Sequence, residues 1–303
     1  VRGEKASMAR SIFLRGSLLR RVSIALVCIT AFGLGLSWMV AGALVAPCPS
    51  IVGDPPRDMD AVSFSVPSDS GSTIQGWHVR SDADRAVVVL LHGIRGSRMA
   101  MTDRARMLHA AGYSIVAIDL QAHGESPGKA ITAGHLEKFD VQAAVAFAKR
   151  QHPGAPLAVV GVSLGGAAAV LGSPLGIDAL VLEAVYPSID VAIHNRVAKK
   201  LGPLSPVAEA ILLWQLKARL GISPSQLRPI EHVPAVGCPI LILSGLADEH
   251  TTVSDTQALF DAAVAPKEMW LVDRAAHVDL FGLEPAQYED RVLGFLARYL
   301  RGL

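Results

Sequence analysis

Charge, aromatic rings and cysteine are all scarce in this chain. Of 303 residues, 18% are charged, 5% are aromatic and three are cysteine. Cys28, Cys48 and Cys238 are too few for a disulfide scaffold and lack metal-ligand spacing. With 51% hydrophobic residues and a mean hydropathy of +0.38, the chain is not a disordered tail. Its 27 glycines and 18 prolines follow no collagen-like period, and no internal repeat or low-complexity segment is visible. The length suits one large domain or two small ones. The net charge of +1 conceals an asymmetry. Residues 1–21 hold six basic residues and one acidic, and the remainder holds 22 basic and 26 acidic. A mildly acidic body does not attract a phosphate backbone, so nucleic acid is not an expected partner.

Charge is absent altogether from Val22 to Cys48. At about 1.5 Å per residue in a helix, residues 22–46 reach across the hydrocarbon layer of a bilayer with some tilt. Basic residues, including Arg10, Arg15, Arg20 and Arg21, flank the run on its N-terminal side, and Asp54, Arg57, Asp58 and Asp60 follow it. The positive-inside rule then predicts residues 1–21 in the cytoplasm, a single-pass signal-anchor at 22–46 and the body on the extracytoplasmic side. Ala41-Gly42-Ala43 also suits a signal-peptidase cut, although the apolar run is long for a signal peptide. A buried core helix fits poorly, because the run is apolar on every face. Residues 47–60, with their prolines and aspartates, read as a linker.

From residue 61 onward, short apolar runs alternate with helix-length segments. The runs are Val62–Val66, Trp77–Val79, Ala86–Leu91, Ser114–Ile118, Leu157–Val160, Ala179–Leu182, Ile240–Leu243 and Met269–Val272. The helical segments are Met99–Ala111, Leu136–Gln151, Leu164–Leu171, Ser254–Ala265 and Pro285–Leu300. This alternation predicts an α/β domain with a mostly parallel sheet and helices on both faces. Ligands of such sheets bind beyond the carboxyl ends of the strands. The interval of about residues 184–236 breaks the rhythm, carries the amphipathic stretch Val207–Leu220, and reads as a cap.

Chemistry concentrates at the strand ends. Gly161-Val162-Ser163-Leu164-Gly165 follows one run and opens a small-residue helix, the context that gives G-x-S-x-G its meaning as a nucleophile elbow. Ser163 at the turn's tip stands at a helix N-terminus, where free N–H groups favour developing negative charge. A serine nucleophile needs a base. His277, after Met269–Val272, is the best placed of ten histidines. The acid expected between them in chain order is Asp248, after Ile240–Leu243, with Glu249 and Glu183 as alternatives. His250 lies too close to Asp248 to serve as base in the usual geometry. The loop His92-Gly93-Ile94-Arg95-Gly96 suits an oxyanion hole made by the N–H groups of Ile94 and Leu164. His92 reads as a buttress of that loop, and Arg95 and Arg98 as solvated loop arginines. Trp214, Leu213 and Leu216 either line an acyl pocket or form the packing face of the cap helix.

These residues, with Asp119 to Ser126 (DLQAHGES), Gly245-Leu246-Ala247-Asp248 and Ala276-His277, make residues 60–303 resemble the α/β-hydrolase fold serine hydrolases. The closest likeness is to membrane-anchored, esterase-like members with a small cap. The resemblance implies an eight-stranded sheet, a cap after the sixth strand and an acyl-enzyme mechanism without cofactor or metal. It gives Asp119 and Ser126 structural roles. The loop reads HGIRG where many lipases and esterases have HGGG, so substrate choice does not carry over. The expected activity is hydrolysis of carboxylic esters, with a small or lipid-like acyl compound as substrate. Amide or thioester hydrolysis by the same residues is the alternative, and a silent membrane-tethered binding protein the reading from another class. Cys48 and Cys238 could pair in an oxidising compartment, but Cys238 precedes a buried strand and reads as a buried thiol.

Overall fold

Eight apolar, largely β-branched runs form a single sheet in the computed structural model of the chain. The structure describes residues 2–83, 85–264 and 266–300, with side chains from residue 19 onward. The side chains of Arg2, Lys5, Arg10 and Arg15, the expected helix end at Ala265 and the last residues of the hydrolase domain, 301–303, lie outside the described residues. The chain divides into two units, one ending at Leu44 and one beginning at Val45.

The first unit belongs to one helix, α1 (Arg2–Val45). Its segment Leu19–Val45, 27 residues with a mean hydropathy of 2.1 in its most apolar stretch, is long and apolar enough to cross a membrane. Leu19, Phe32 and Met39 on it are exposed, which is not the pattern of a core helix.

In the second unit the strands are β1 (Val62–Pro67), β2 (Thr73–Val79), β3 (Val87–Leu91), β4 (Ser114–Ile118), β5 (Leu157–Val162), β6 (Ala179–Glu183), β7 (Ile240–Gly245) and β8 (Lys267–Val272). They lie side by side in the order β8-β7-β6-β5-β3-β4-β2-β1. β2 runs antiparallel to both neighbours and every other pair is parallel. The helices are α2 (Thr102–Ala110), α3 (Glu137–Gln151), α4 (Leu164–Leu171), α5 (Ile189–Leu201), α6 (Ser205–Leu220), α7 (Val253–Ala262) and α8 (Pro285–Tyr299).

Successive side chains of a strand point to opposite faces, and β3 feeds both cores accordingly. Val87, Val89 and Leu91 join one cluster, with Val141 and Ala144 of α3 and Ala168 of α4. Val88 and Leu90 join the other, with Leu108 of α2 and Val292 and Phe295 of α8. Each such aliphatic side chain contributes about 1.5–3 kcal/mol on full burial. Helices on both faces explain why these strands are continuous apolar runs.

Two helices differ from expectation at their ends. α2 begins at Thr102 because Arg98–Met101 coils more tightly as a 3-10 turn. α7 stops at Ala262, where Ala263 turns extended and Lys267 Nζ binds the carbonyls of Phe260 (2.7 Å) and Ala263 (2.9 Å). Residues 47–60 run along the body. Cys48 and Ser50 N–H groups bind the carbonyls of Ala122 (2.8 Å) and Gly124 (2.9 Å), and Met59 is buried in the second core. The interval after β6 holds α5 and α6. Leu216 packs with Leu171, Ile222 and Leu227, while Trp214 is 61% exposed, so α6 turns part of its apolar face outward. All three cysteines are free, and burial pushes the Cys238 thiol up to about 12.

Candidate active site

β5 passes into α4 through Ser163, whose backbone sits at φ +46 and ψ −106. A non-glycine residue in this region costs on the order of 1–3 kcal/mol and persists only where its surroundings enforce it. Here β5 and α4 are in near contact. A Cβ on Gly161 would lie 2.6 Å from backbone atoms of Gly166, so a side chain at 161 would drive strand and helix apart. The Ser163 N–H donates to the Glu183 carbonyl at 2.7 Å. Its own carbonyl accepts from Ala167 at 2.9 Å, which makes it the first acceptor of α4. The N–H of Leu164 therefore belongs to the first turn, where helical N–H groups have no intrahelical acceptor.

The loop after β3 lies alongside. Gly93 comes so near that a Cβ on it would sit 3.7 Å from the Ser163 Cβ. A turn closes by Gly96 N–H to the Gly93 carbonyl at 3.1 Å, with Ile94 and Arg95 at its tip. His92 holds this turn in place. Its Nδ1 lies 2.7 Å from the Gly93 carbonyl and its Nε2 accepts from Leu120 N–H at 3.0 Å. Burial lowers its pKa to about 3, which keeps the ring neutral and suited to one donor and one acceptor. His92 is a buttress.

Asp248 and His277 stand beyond β7 and β8. Their loops touch: Ala247 N–H donates to the Ala275 carbonyl at 2.8 Å, and a Cβ on Gly245 would meet that carbonyl at 2.1 Å. His277 Nδ1 lies 2.8 Å from Asp248 Oδ2. The other oxygen, Oδ1, accepts from the N–H groups of His250 (2.8 Å) and Thr251 (2.9 Å). Burial by itself would raise the Asp248 pKa, but the hydrogen bond with His277 and those two N–H groups outweigh it and hold the carboxyl below its ordinary value. The imidazole is thereby fixed with Nδ1 toward the acid and Nε2 free for another proton partner. A shallow hollow of about 460 Å³ opens beside Asp248, bordered by His194, Asn195, Lys199, Leu246 and Glu249. Its lining includes neither Ser163 nor His277.

The alternatives for acid and base are committed elsewhere. Glu249 pairs with Lys199 at 2.5 Å in solvent. Glu183 is fully engaged by Arg104, through Nε–Oε1 at 3.0 Å and Nη2–Oε2 at 2.6 Å. The His250 ring lies 5.2 Å from that of His277, centroid to centroid, and Asp248 meets His250 only through its backbone N–H.

Comparison with known proteins agrees with this fold. A model of the serine aminopeptidase S33 family matches residues 82–221. The structure of the Pyrococcus furiosus esterase Pf2001 superposes with a TM-score of 0.71 at 23% identity, covering 85% of this chain and 98% of that one. The Bacillus subtilis (strain 168) protein YqkD is 23% identical over 250 residues, 79% of this chain and 80% of its own. A monoacylglycerol lipase of Mycolicibacterium smegmatis is 37% identical over 84 residues, 27% of this chain and 30% of that one. The chain has the α/β-hydrolase fold.

Two ion clusters of this fold escape sequence reading. Arg98, expected as a solvated loop arginine, is 2% exposed. The loop folds back so that its guanidinium pairs with Asp119 and Glu125 and lies 4.9 Å over the Trp77 ring. Asp119 also accepts the N–H groups of Arg98 (2.7 Å) and Glu125 (2.9 Å). Ser126 Oγ donates to the Asp119 carbonyl at 2.7 Å, so both residues serve the fold, as the resemblance implied. In the second cluster, Arg104 on α2 joins Glu183 to Asp279 Oδ1 (2.6 Å), and the Tyr288 hydroxyl of α8 donates to Glu183. Asp279 lies two residues after His277, so Arg104 ties the histidine's loop to the sheet. Partners 79 and 175 residues apart leave no local signal in a sequence.

Proposed function

We propose that this α/β hydrolase cleaves carboxylic esters with Ser163 as nucleophile, His277 as general base and acid, and Asp248 as the carboxylate that orients the imidazole. The observation that carries the reading is the 2.8 Å Asp248–His277 hydrogen bond in a fold whose Ser163 occupies a strained strand-to-helix turn. In the acylation step the Ser163 hydroxyl proton passes to His277 Nε2 as Oγ attacks the acyl carbon. The carbonyl electron pair moves onto oxygen, and the N–H groups of Ile94 and Leu164 receive the oxyanion. The oxyanion collapses, the bond to the leaving alcohol breaks, and the alcohol takes the proton from Nε2. Water then repeats the sequence on the acyl-enzyme, releasing the acid and restoring Ser163. Asp248 stays ionised throughout and stabilises the imidazolium. Each oxyanion donor is worth about 3–4 kcal/mol in such sites.

The same groups can cleave amides or thioesters, and the match to a serine aminopeptidase model keeps the amide reading alive. A binding protein without activity has little support, because all three residue types stand in chain order at the strand ends. The apolar segment of α1 supports membrane attachment, as an anchor or a signal sequence, with the body on the extracytoplasmic side by the charge of its flanks. The test is a panel of ester, thioester and amide substrates sharing one acyl group, assayed with the full chain in detergent. Highest kcat/KM on the ester, abolished by Ser163→Ala, is the expected result. Preference for the amide at equal acyl group would replace the ester reading.

A further inference from the structure

Arginines buried in the body of this protein hold acids. Arg98 pairs with Asp119 and Glu125, and Arg104 with Glu183 and Asp279. Arg196 on α5 does not. Its Nη1 donates to the carbonyl of Ala192, one turn earlier, at 2.8 Å, and among the described residues no carboxylate lies within ion-pairing distance of it. A guanidinium has five N–H donors, so most of this one's hydrogen-bonding capacity is unspent in a half-buried place. Burial pulls its pKa below the usual arginine range, with Tyr186 and Asp248 acting against that fall. Withdrawing a guanidinium from water without an anion is costly, and the ordinary solution is a carboxylate at hand.

The position of Arg196 gives its remaining donors meaning. Residues four apart share a helix face. Ala192 is buried in the core cluster that also contains Leu164, Val185 and Tyr186, which follow the ends of β5 and β6. Arg196 is therefore on the buried face of α5, one turn farther along, and Asp248 is among the charges that act on it. The preceding residue, Asn195, fixes the helix there: its Nδ2 donates to Asp255 Oδ2 at 2.7 Å and to the His250 carbonyl at 3.2 Å. The His250 ring lies 5.2 Å from that of His277, and burial first, then Arg196, lowers the pKa of His250.

We infer that Arg196 is the anion-binding residue of the substrate site, and that the substrate carries a carboxylate which pairs with its guanidinium. A planar guanidinium suits a carboxylate through two parallel hydrogen bonds. The inference rests on Ser163 being the nucleophile for its meaning in specificity, but the anion site itself does not. The carboxylate is borne by the acyl chain or by the leaving group, and two substrate pairs separate these sources. The 4-nitrophenyl esters of glutaric and pentanoic acid differ in a carboxylate at the end of the acyl chain. The 4-carboxyphenyl and phenyl esters of pentanoic acid differ in one on the leaving group.

With the full chain in detergent, one anionic ester is expected to exceed its neutral partner in kcat/KM by about tenfold or more. Arg196→Gln removes that preference, and Arg196→Lys retains part of it. Binding of free glutarate, read as a rise in the unfolding temperature, reports the anion site without turnover and is lost in Arg196→Gln. Absent turnover and absent fluorophosphonate labelling of Ser163, with Arg196-dependent glutarate stabilisation intact, would overturn the esterase reading and leave the anion site standing. Normal labelling of Ser163 with an anion response that Arg196→Gln does not alter, or with none, overturns the inference.

Discussion

Two carboxylates lie at the ends of neighbouring strands, Glu183 closing β6 and Asp248 following β7, and their surroundings are opposite. Both are buried, at 1% and 4% exposure. Glu183 is matched by the guanidinium of Arg104 and by the Tyr288 hydroxyl, groups that stay protonated at neutral pH. Burial first, and then Glu183, push the Tyr288 pKa well above its ordinary value. Asp248 is matched by two backbone N–H groups and by an imidazole whose side chain is 26% exposed. An acid closed in by permanent donors can only hold structure together. An acid whose one titratable partner reaches outward can stabilise a charge that comes and goes. The chain thus spends one strand-end acid on anchoring the histidine's loop and the next on the histidine itself.

The sharpest way to break this comparison is to remove the groups on the Asp248 side. Ser163→Ala is expected to lower esterase kcat by about 10⁶-fold and Asp248→Asn by about 10⁴-fold, with urea unfolding midpoints little changed for Ser163→Ala. On the Glu183 side the order of effects reverses. Arg104→Met leaves Glu183 buried without its counter-ion and is expected to cost roughly 3–5 kcal/mol of stability in denaturant titration. The double change Arg104→Met/Glu183→Leu recovers part of that loss, which a purely catalytic role for Glu183 would not allow. A pH titration of stability sharpens the picture further. Burial first, and then His152 beside it, lower the His78 pKa from 6.5 to about 4. The unfolded chain therefore takes up a proton that the folded chain refuses, and stability falls as pH drops from 6.5 toward about 4. His78→Gln should flatten the unfolding temperature across that window. The smallest effect belongs to the exposed acid next to Asp248. Glu249→Gln breaks a solvent-exposed pair with Lys199, worth within about 1 kcal/mol, and should leave kcat/KM within about twofold.

Much of this was legible from the residues, and the reasons are local. Ser163 is announced by glycines that the close approach of β5 and α4 demands, and Asp248 and His277 by standing just after apolar runs buried on both faces. The eight strands could be read because burial on both faces leaves uninterrupted apolar runs. Arg98, Arg104 and Arg196 could not be read, since a loop or helix arginine looks the same in sequence whether it meets water or a carboxylate dozens of residues away. The choice among Asp248, Glu249 and Glu183 was open for the same reason. Adjacent acids look alike in sequence, and only the structure shows Asp248 bonded to His277 and Glu249 to Lys199. Trp214 likewise reads as pocket or core, and only packing shows it turned to solvent.

The central claim is that Ser163 is an activated nucleophile, and covalent labelling tests it most directly. The full chain in detergent, treated with a fluorophosphonate and examined by intact mass, is expected to gain one adduct on Ser163. Ser163→Ala and His277→Ala should gain none, while Glu183→Gln, if folded, should still react. A folded wild-type protein that takes up no label, or one labelled equally without His277, would contradict the account.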